Sequence, residues 1–182
     1  VMVLNHPPRI RDGHEPVALI LEHAADIGLD GVVVTDHDEI DESLRAAELA
    51  PEYGLVGISG VEVSTAVGHL LAIGVEARPE SERPFEATVD RVWELGGIAV
   101  VPHPFQRSRH GVPASAITDC DGIEVFNAHA LTGLRNRQAG RFANRRDYPR
   151  VAGSDAHKVG YVGRAYTEGA VETANPTSEA VP

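Results

Sequence analysis

Stretches that predict β-strands and α-helices alternate along the whole chain, and this order limits the possible folds more than any other feature. Apolar, β-branched runs such as "GVVVTDHD" (31–38) and "IAVVPHP" (98–104) predict strands, and "EPVALILEHAADIGLDG" (15–31) predicts a helix. Strands that alternate with helices of about 10–15 residues form βαβ units and a parallel sheet. No G-x-G-x-x-G follows the first strand, which disfavours a dinucleotide-binding domain. We therefore predict an α/β fold, best described as a small or distorted (β/α) barrel.

The length of 182 residues suits a single domain with its own core. We expect this domain to occupy residues 1–168. The remaining segment, "GAVETANPTSEAVP" (169–182), has no strong hydrophobic period, and we expect a partly disordered tail there.

Charge and composition narrow the partners and the compartment. The net charge of -11, with no basic stripe to offset it, predicts no stable nucleic-acid binding. No apolar run approaches the roughly 20 residues of a membrane span, and no signal-peptide pattern is visible. Cys120 is the single cysteine, which fits a reducing compartment, so we expect a cytoplasmic protein. The 15 arginines beside a single lysine, Lys158, are similar to the usage of salt-adapted archaeal or high-GC proteins.

Polar residues able to bind a metal fall at or just past the ends of successive predicted strands. In an α/β barrel these ends converge on one face, where the active site is built. The residues at these positions are His6, Asp36, His37, Glu62, His69, His103, Asn127, His129, Asp155 and His157.

Five or more histidines with one glutamate and one or two aspartates on one face indicate a site for several metal ions. Imidazole and carboxylate ligands without cysteine favour zinc, manganese or iron. Cys120 is a poor candidate nucleophile, because it precedes a strand and has no adjacent base. His23 lies within a predicted helix, and we expect a structural role for it.

The same residues carry a family resemblance. The stretches "TDHD", "GVEVS", "VVPHPF", "GIEVFN" and "GSDAH", in this order, resemble the motifs of the polymerase and histidinol phosphatase (PHP) family. The resemblance runs from about residue 12 to about residue 166, and small archaeal members look most similar. It implies a distorted (β/α)₇ barrel, a site for two or three divalent ions (Mn, Zn or Fe) and hydrolysis of a small phosphorylated substrate.

The resemblance also implies a role for particular residues. Glu62 would bridge two metals, and His69 and His103 would hold one of that pair. Asp155 would hold the other together with His6, and Asp155, His157 and Glu62 would form the catalytic set. The implied ligands of the third metal are His37, His157 and Asp12, with His14 as a neighbouring alternative to Asp12.

Metals held in this way would activate water for in-line attack on phosphorus and neutralise developing charge. Arginine suits bidentate phosphate recognition. Arg107 and Arg109, on the loop "FQRSRHG", are the candidate substrate-binding residues, with Arg164 as a second choice. His110 and His129 are candidates for supporting or proton-donating groups.

The first motif departs from the family pattern, which resembles Asp-x-His-x-His-Ser followed by Asp-Gly. In "VMVLNHPPRIRDGH" (1–14), the pattern is aligned backwards from the Asp-Gly step at residues 12–13. His6 takes the second histidine position if the spacer between the histidines and this step has one extra residue. Leu4 then stands at the first histidine position and Met2 at the leading aspartate. One metal would therefore keep only His6, Glu62 and Asp155.

Two other interpretations remain open at this point. One is a PHP-type protein with an eroded metal site, weakly active or acting only as a binding module; the altered first motif favours it. The retained Glu62, His103 and Asp155 speak against it. The other is an amidohydrolase-type metal enzyme, which often uses a bridging lysine, but Lys158 follows the last motif and is wrongly placed for that role.

Overall fold

A computed structural model describes residues 17–130 and 132–169, together with the backbone of 3–6. These residues form eight strands and four helices that follow one another in the predicted alternation. The strands are β1 (Val3–His6), β2 (Gly31–Asp36), β3 (Val56–Ile58), β4 (Gly60–Thr65), β5 (Gly68–Ile73), β6 (Ile98–Val101), β7 (Gly122–Asn127) and β8 (Arg150–Gly153). The helices are α1 (Val17–Asp26), α2 (Asp41–Leu49), α3 (Phe85–Glu94) and α4 (Gly133–Arg146).

The strands form two sheets. The first has three parallel strands in the order β1-β2-β3, and the second has five strands in the order β4-β5-β6-β7-β8. In the second sheet β5 is antiparallel to both β4 and β6, whereas β6, β7 and β8 are parallel. The mixed α/β class is as predicted. The two sheets do not close within the described residues, so the complete (β/α)₇ barrel is not seen.

The segment "LVGISGVEVST" (55–65), which reads as one strand in the sequence, is divided at Ser59. The part before Ser59 becomes β3 of the first sheet and the part after it becomes β4 of the second sheet. Apolar periodicity does not reveal this break, because residues on both sides of it are buried. The Gly60 amide donates a hydrogen bond of 2.7 Å to Ser43 Oγ of α2, which fixes the start of β4.

A short backbone contact joins the two sheets where β2 ends. His37 forms an isolated parallel bridge with Glu62 of β4, and the Asp38 amide donates to the Glu62 carbonyl at 2.9 Å. An apolar cluster with members from both sheets, including Val33, Leu71 and Val100, packs behind this contact. The carboxyl end of β2 is therefore placed directly beside β4.

Helices cover the outer faces of the sheets. The pairs α1 and α2 pack on the first sheet, and α3 and α4 pack on the second. The approach of α2 to β3 is close, since a Cβ at Gly57 would lie 2.5 Å from the Ala47 backbone. Among the described residues, no helix has the length and apolar character needed to cross a membrane.

Candidate metal centre and adjoining cleft

The first ligand group lies at the contact between the two sheets. It consists of His37, at the end of β2, with Glu62 of β4 and His69 of β5, whose ligand atoms all lie within 4.8 Å of one another. Glu62 Oε1 is 2.6 Å from His69 Nδ1 and 3.2 Å from His103 Nε2. The buried imidazole of His103 follows β6, so four secondary-structure elements converge on one carboxylate.

Burial and pairing set the electrostatics of this group. Burial alone would raise the pKa of Glu62, but hydrogen bonds with His103 and His69 outweigh it and hold that pKa well below its usual range. Burial would lower the pKa of His103, but the hydrogen bond to Glu62 and the Glu62 charge raise it. Burial lowers the pKa of His37, which favours the neutral ring that ligates metals.

The second ligand group comes from the carboxyl ends of β7 and β8. The ligand atoms of His129, Asp155 and His157 lie within 4.8 Å of one another. Both rings also contact the Asp155 backbone carbonyl, at 3.2 Å from His129 Nδ1 and 3.0 Å from His157 Nδ1. Asn127 Nδ2 donates to Asp155 Oδ2 at 2.9 Å, which orients the carboxylate from the side of β7.

Arg109 forms an ion pair with Asp155, and Nη2 lies 2.5 Å from Oδ2. The arginine side chain is 21% exposed and the aspartate side chain 5% exposed, so the pair is screened little by solvent. The guanidinium thus contacts a carboxylate that the sequence assigns to a metal ion.

Glu124 lies beneath both groups and has no counterpart in the sequence prediction. Its Oε2 accepts hydrogen bonds from the His103 amide at 2.6 Å and from Asn127 Nδ2 at 3.0 Å. Burial raises the pKa of Glu124 to about 7. This carboxyl therefore holds His103 and Asn127 in place. His103 in turn contacts Glu62, and Asn127 contacts Asp155.

Several residues of the centre have left-handed backbone conformations, which non-glycine residues rarely adopt. The φ angles are 53° at Asp38, 30° at His103 and 48° at Asp155. The Asp38 carboxylate is fixed by the Ser64 amide at 2.9 Å and by Ser81 Oγ at 2.8 Å. Such conformations persist where surrounding contacts determine them, and they concentrate at functional sites.

A cleft of about 940 Å³ opens beside His69. It lies between the β4–β5 turn, the loop that carries Arg107 and His110, and the first turns of α4. The His110 ring centroid is 5.2 Å from that of His69, so the cleft reaches the first ligand group. Its polar and charged lining residues are Ser64, Thr65, His69, Glu82, Arg107, His110, Arg135 and Gln138.

The structure brings together many of the residues singled out in the sequence. Glu62, His69 and His103 are in mutual contact, and Asp155 is grouped with His157. His37 is grouped with Glu62 and His69, so His37 and His157 lie in different groups. The shared third metal of His37, His157 and Asp12 stays a prediction, because Asp12 lies outside the described residues. The same holds for His14, for the side chain of His6 and for the tail from residue 170 onward.

The three predicted substrate-binding arginines occupy different places. Arg107 lines the cleft, and Arg109 pairs with Asp155. Arg164 stacks on the Tyr161 ring at 3.8 Å, and that ring lies 6.5 Å from His129. The role of all three in substrate binding stays a prediction.

The sequence did not give two residues of the centre their observed places: His129 was expected as a supporting or proton-donating group, and Glu124 was not identified. His129 belongs to the second ligand group, and the signal for it was its position two residues after the strand "GIEVFN". The signal for Glu124 was an acidic residue within that same apolar strand, where only a paired or neutral carboxyl is stable.

Comparisons with known proteins give one family. A family model described as PHP-associated matches residues 133–181. An uncharacterised protein of Methanocaldococcus jannaschii is 32% identical over 130 residues, which are 70% of this chain and 75% of that protein. A second uncharacterised protein of this organism is 28% identical over 117 residues, covering 60% of this chain and 49% of its own length. Ribonuclease P protein component 3 of Natronomonas pharaonis is 41% identical over 54 residues, or 30% of this chain and 23% of that protein.

Solved structures show the same fold. A candidate metal-dependent phosphoesterase of Bifidobacterium adolescentis superposes with a TM-score of 0.67 at 17% identity, covering 91% of this chain and 92% of that chain. An amidohydrolase of Chromobacterium violaceum, solved with bound sulfate, gives a TM-score of 0.64 at 16% identity over 86% of this chain and 88% of that chain. At these identities the likeness extends to the fold alone.

Proposed function

Because this chain belongs to the polymerase and histidinol phosphatase (PHP) family, we propose that it is a metal-dependent phosphoesterase acting on a phosphomonoester or a small nucleotide. The observation that carries the proposal is a pair of His/carboxylate groups, the first of which borders, through His69, a cleft that Arg107 and His110 line. The name of the Bifidobacterium adolescentis protein, which shares the fold, supports the same chemistry.

The chemistry of the donor atoms fits divalent metals. Each group supplies imidazole nitrogens and a carboxylate, and no thiol, which suits zinc, manganese or iron. Among the described residues, His103 Nδ1 and Asp155 Oδ1 are buried and have no hydrogen-bond partner. Buried polar atoms without partners are costly, and a cation close by would satisfy them. We assign one metal to His37, Glu62 and His69, with His103 beside it, and one to His129, Asp155 and His157; a third would need residues before Val17.

The residues around the groups have defined tasks in hydrolysis. When bound, a divalent cation lowers the pKa of water and neutralises charge on the phosphoryl group. Arg107 is the first binding residue for phosphate oxygens, since its guanidinium lines the cleft beside His69. His110, whose ring faces His69, is placed to donate a proton to the leaving oxygen. Glu124 and Asn127 keep His103 and Asp155 oriented.

The cytoplasm is the compartment in which we expect the protein to act. Cys120 is free in the structure, and a reducing environment preserves a free thiol. The substrate we propose is a small phosphorylated molecule.

The test combines metal analysis with hydrolysis of p-nitrophenyl phosphate. Protein loaded with Mn²⁺, Zn²⁺ or Fe²⁺ is expected to bind two or three ions per chain and to release p-nitrophenol. His37→Ala and Asp155→Ala are each expected to reduce kcat/KM by at least about 100-fold, since loss of a ligand costs more than loss of a group that supports one. His23→Ala is the matched control, because His23 is half-buried in α1 and outside both groups.

One observation favours a second candidate, a binding module with an eroded metal site. Arg109 pairs with Asp155, a carboxylate that the family resemblance gives to a metal, and Leu4 stands where the family pattern has a histidine. This candidate predicts that metal-loaded protein hydrolyses no phosphoester, although it still binds inorganic phosphate. Hydrolysis that Asp155→Ala abolishes would rule it out.

A further inference from the structure

The outer face of α4 is unusual in charge. The segment from Gly133 to Arg150 holds six of the 15 arginines and only one acidic residue, Asp147, in a chain with a net charge of -11. All six arginines are exposed. They are Arg135, Arg137, Arg141, Arg145, Arg146 and Arg150.

These arginines differ in their partners from three other exposed arginines of the chain. Arg45, Arg83 and Arg91 each pair with a glutamate three residues away, at 3.9, 3.7 and 2.9 Å. Within residues 17–130 and 132–169, by contrast, none of the six arginines on or after α4 forms an ion pair with a carboxylate.

The contacts that the α4 arginines do make are with neutral groups. Arg135 donates to Gln138 at 2.8 Å, and Arg150 donates to Asn144 at 3.3 Å. Arg146 lies over the Phe142 ring at 5.0 Å. Their positive charges are therefore not neutralised within the described chain, although glutamates are abundant elsewhere on its surface.

The unpaired charges lie in a row. Arg137, Arg141 and Arg145 recur every four residues, so they lie along one side of the helix, while Ala139, Phe142 and Ala143 are buried on the other. At about 1.5 Å per residue the row is about 12 Å long. A row of cations at this spacing matches a polymer with regularly spaced negative charges better than a single small anion.

The row borders the cleft, because Gln138, three residues before Arg141 and its neighbour on the helix surface, lines the cleft. Arg135 and Gln138, from the amino-terminal turns of α4, line the same cleft as Arg107, His110 and His69. Its volume of about 940 Å³ is within the range of small-molecule pockets, which is large enough for a terminal nucleotide.

We propose that the arginine row of α4, formed by Arg137, Arg141 and Arg145, binds the phosphodiester backbone of a single-stranded oligonucleotide whose terminal phosphate enters the cleft. This inference rests on the proposed function for the fate of that terminal phosphate, and it extends the substrate from a small nucleotide to the end of a strand. It also revises the expectation that the net charge of -11 prevents stable nucleic-acid binding. A protein that is acidic overall can still have a basic surface on one helix. Electrostatic binding of this kind depends on the charges near the strand, and the rest of the surface is largely screened beyond about 10 Å at 0.1 M salt.

The test measures binding without catalysis. Full-length protein in EDTA is titrated into a fluorescein-labelled 12-nucleotide thymidylate strand, and anisotropy is followed at several salt concentrations. The variant R137Q/R141Q/R145Q is compared with R45Q/R83Q/R91Q, which loses the same charge from arginines paired with glutamates. Circular dichroism and thermal melting establish that both variants are folded.

We expect the α4 variant to lose at least about tenfold in affinity and the slope of log K against log[salt] to shrink by roughly 2, because three phosphate contacts are removed. The control variant is expected to bind as the parent protein does. Equal binding by both variants, or no binding by the parent protein, overturns the proposal.

Two further arms test alternative occupants. Tighter binding of a 12-base-pair duplex than of the single strand overturns the single-strand assignment. If light scattering shows that the parent self-associates and the α4 variant does not, with no change in strand binding, the row is an interface between copies. Hydrolysis of p-nitrophenyl phosphate, measured separately, tests the proposed function independently, since binding in EDTA requires no metal.

Discussion

Arg109 and Asp155 form a largely buried ion pair, 2.5 Å between Nη2 and Oδ2, at the edge of the second ligand group. The same carboxylate cannot give its full charge to the guanidinium and to a metal ion at once. We therefore expect the arginine to stabilise the metal-free protein and to compete for Asp155 with the metal proposed to bind there.

Arg109→Met is expected to strengthen metal binding at the second group. Removing the guanidinium leaves the buried Asp155 carboxylate without a counter-ion. A metal cation that binds there no longer has to displace the arginine, so its binding free energy is expected to improve by about 1.5–3 kcal/mol, the contribution of a charged hydrogen bond. This corresponds to an affinity gain of roughly tenfold or more. Competition titration with a fluorescent zinc chelator measures it. Arg107→Met, from the same loop but without the contact to Asp155, is the control, and equal affinities for both variants would contradict the competition.

Asn127→Asp is expected to destabilise the metal-free protein by about 2–4 kcal/mol. The Asn127 amide donates to both Glu124 and Asp155, and an aspartate would remove both donors and place a third carboxylate between two others. Urea unfolding followed by the fluorescence of Trp93, the single tryptophan, provides the measurement. Asn144→Asp, an exposed change on α4, should stay within about 0.5 kcal/mol of the parent protein.

Gly57→Ala and Gly140→Ala are expected to change stability in opposite directions. A methyl at Gly57 would lie 2.5 Å from the Ala47 backbone, which must move, so we expect a loss of about 1–3 kcal/mol. Gly140 lies within α4 with no atom within 4 Å of an added Cβ, and alanine there should gain about 0.5–1 kcal/mol. The melting temperatures of the two variants, compared with that of the parent protein, test both expectations. A Gly57→Ala protein as stable as the parent would refute the close packing of α2 on β3.

Cys120 is expected to react slowly with iodoacetamide in the native protein. Burial raises the pKa of this thiol to about 12, and its Sγ contacts the Gly122 carbonyl, so little thiolate is present at pH 8. We expect alkylation to be at least about 30-fold slower than in urea, because the loss of thiolate outweighs the higher nucleophilicity of a more basic thiolate. Mass spectrometry over pH 8–11 should show a rate that still rises above pH 10. A plateau near pH 9 would mean that the thiol has its ordinary pKa.

Much of the fold follows from local sequence, because hydrophobic period and turn residues act over short distances. The helices and most strands begin and end near the predicted residues, as at "GVVVTDHD" and "IAVVPHP". The break at Ser59 was not predictable in this way, since it depends on which sheet each half of the segment joins. Pairing between strands that are distant in the sequence also determines whether the two sheets close, and within the described residues they do not.

For the candidate site, the sequence identified several of the residues but not which of them meet. Strand-end position identified His103 and Asp155, because polar residues that follow buried strands need a partner. Glu62 and His69 were singled out by the same pattern, although they lie near the starts of β4 and β5. Which residues meet there depends on sheet register and on loop conformation, so the grouping of His129 with Asp155 and the ion pair of Arg109 were not visible in the sequence. Glu124 was missed because a buried carboxyl within a strand is recognisable only through its hydrogen bonds.

The contact between β2 and β4 has a consequence for how the molecule opens. His37 comes from the first sheet, whereas Glu62 and His69 come from the second, and the described backbone link between the sheets at this point is the short bridge beside them. A ligand held by all three residues is released whenever the sheets separate. Amide hydrogens along this seam should therefore exchange more slowly in metal-loaded protein, by a factor that grows with metal concentration.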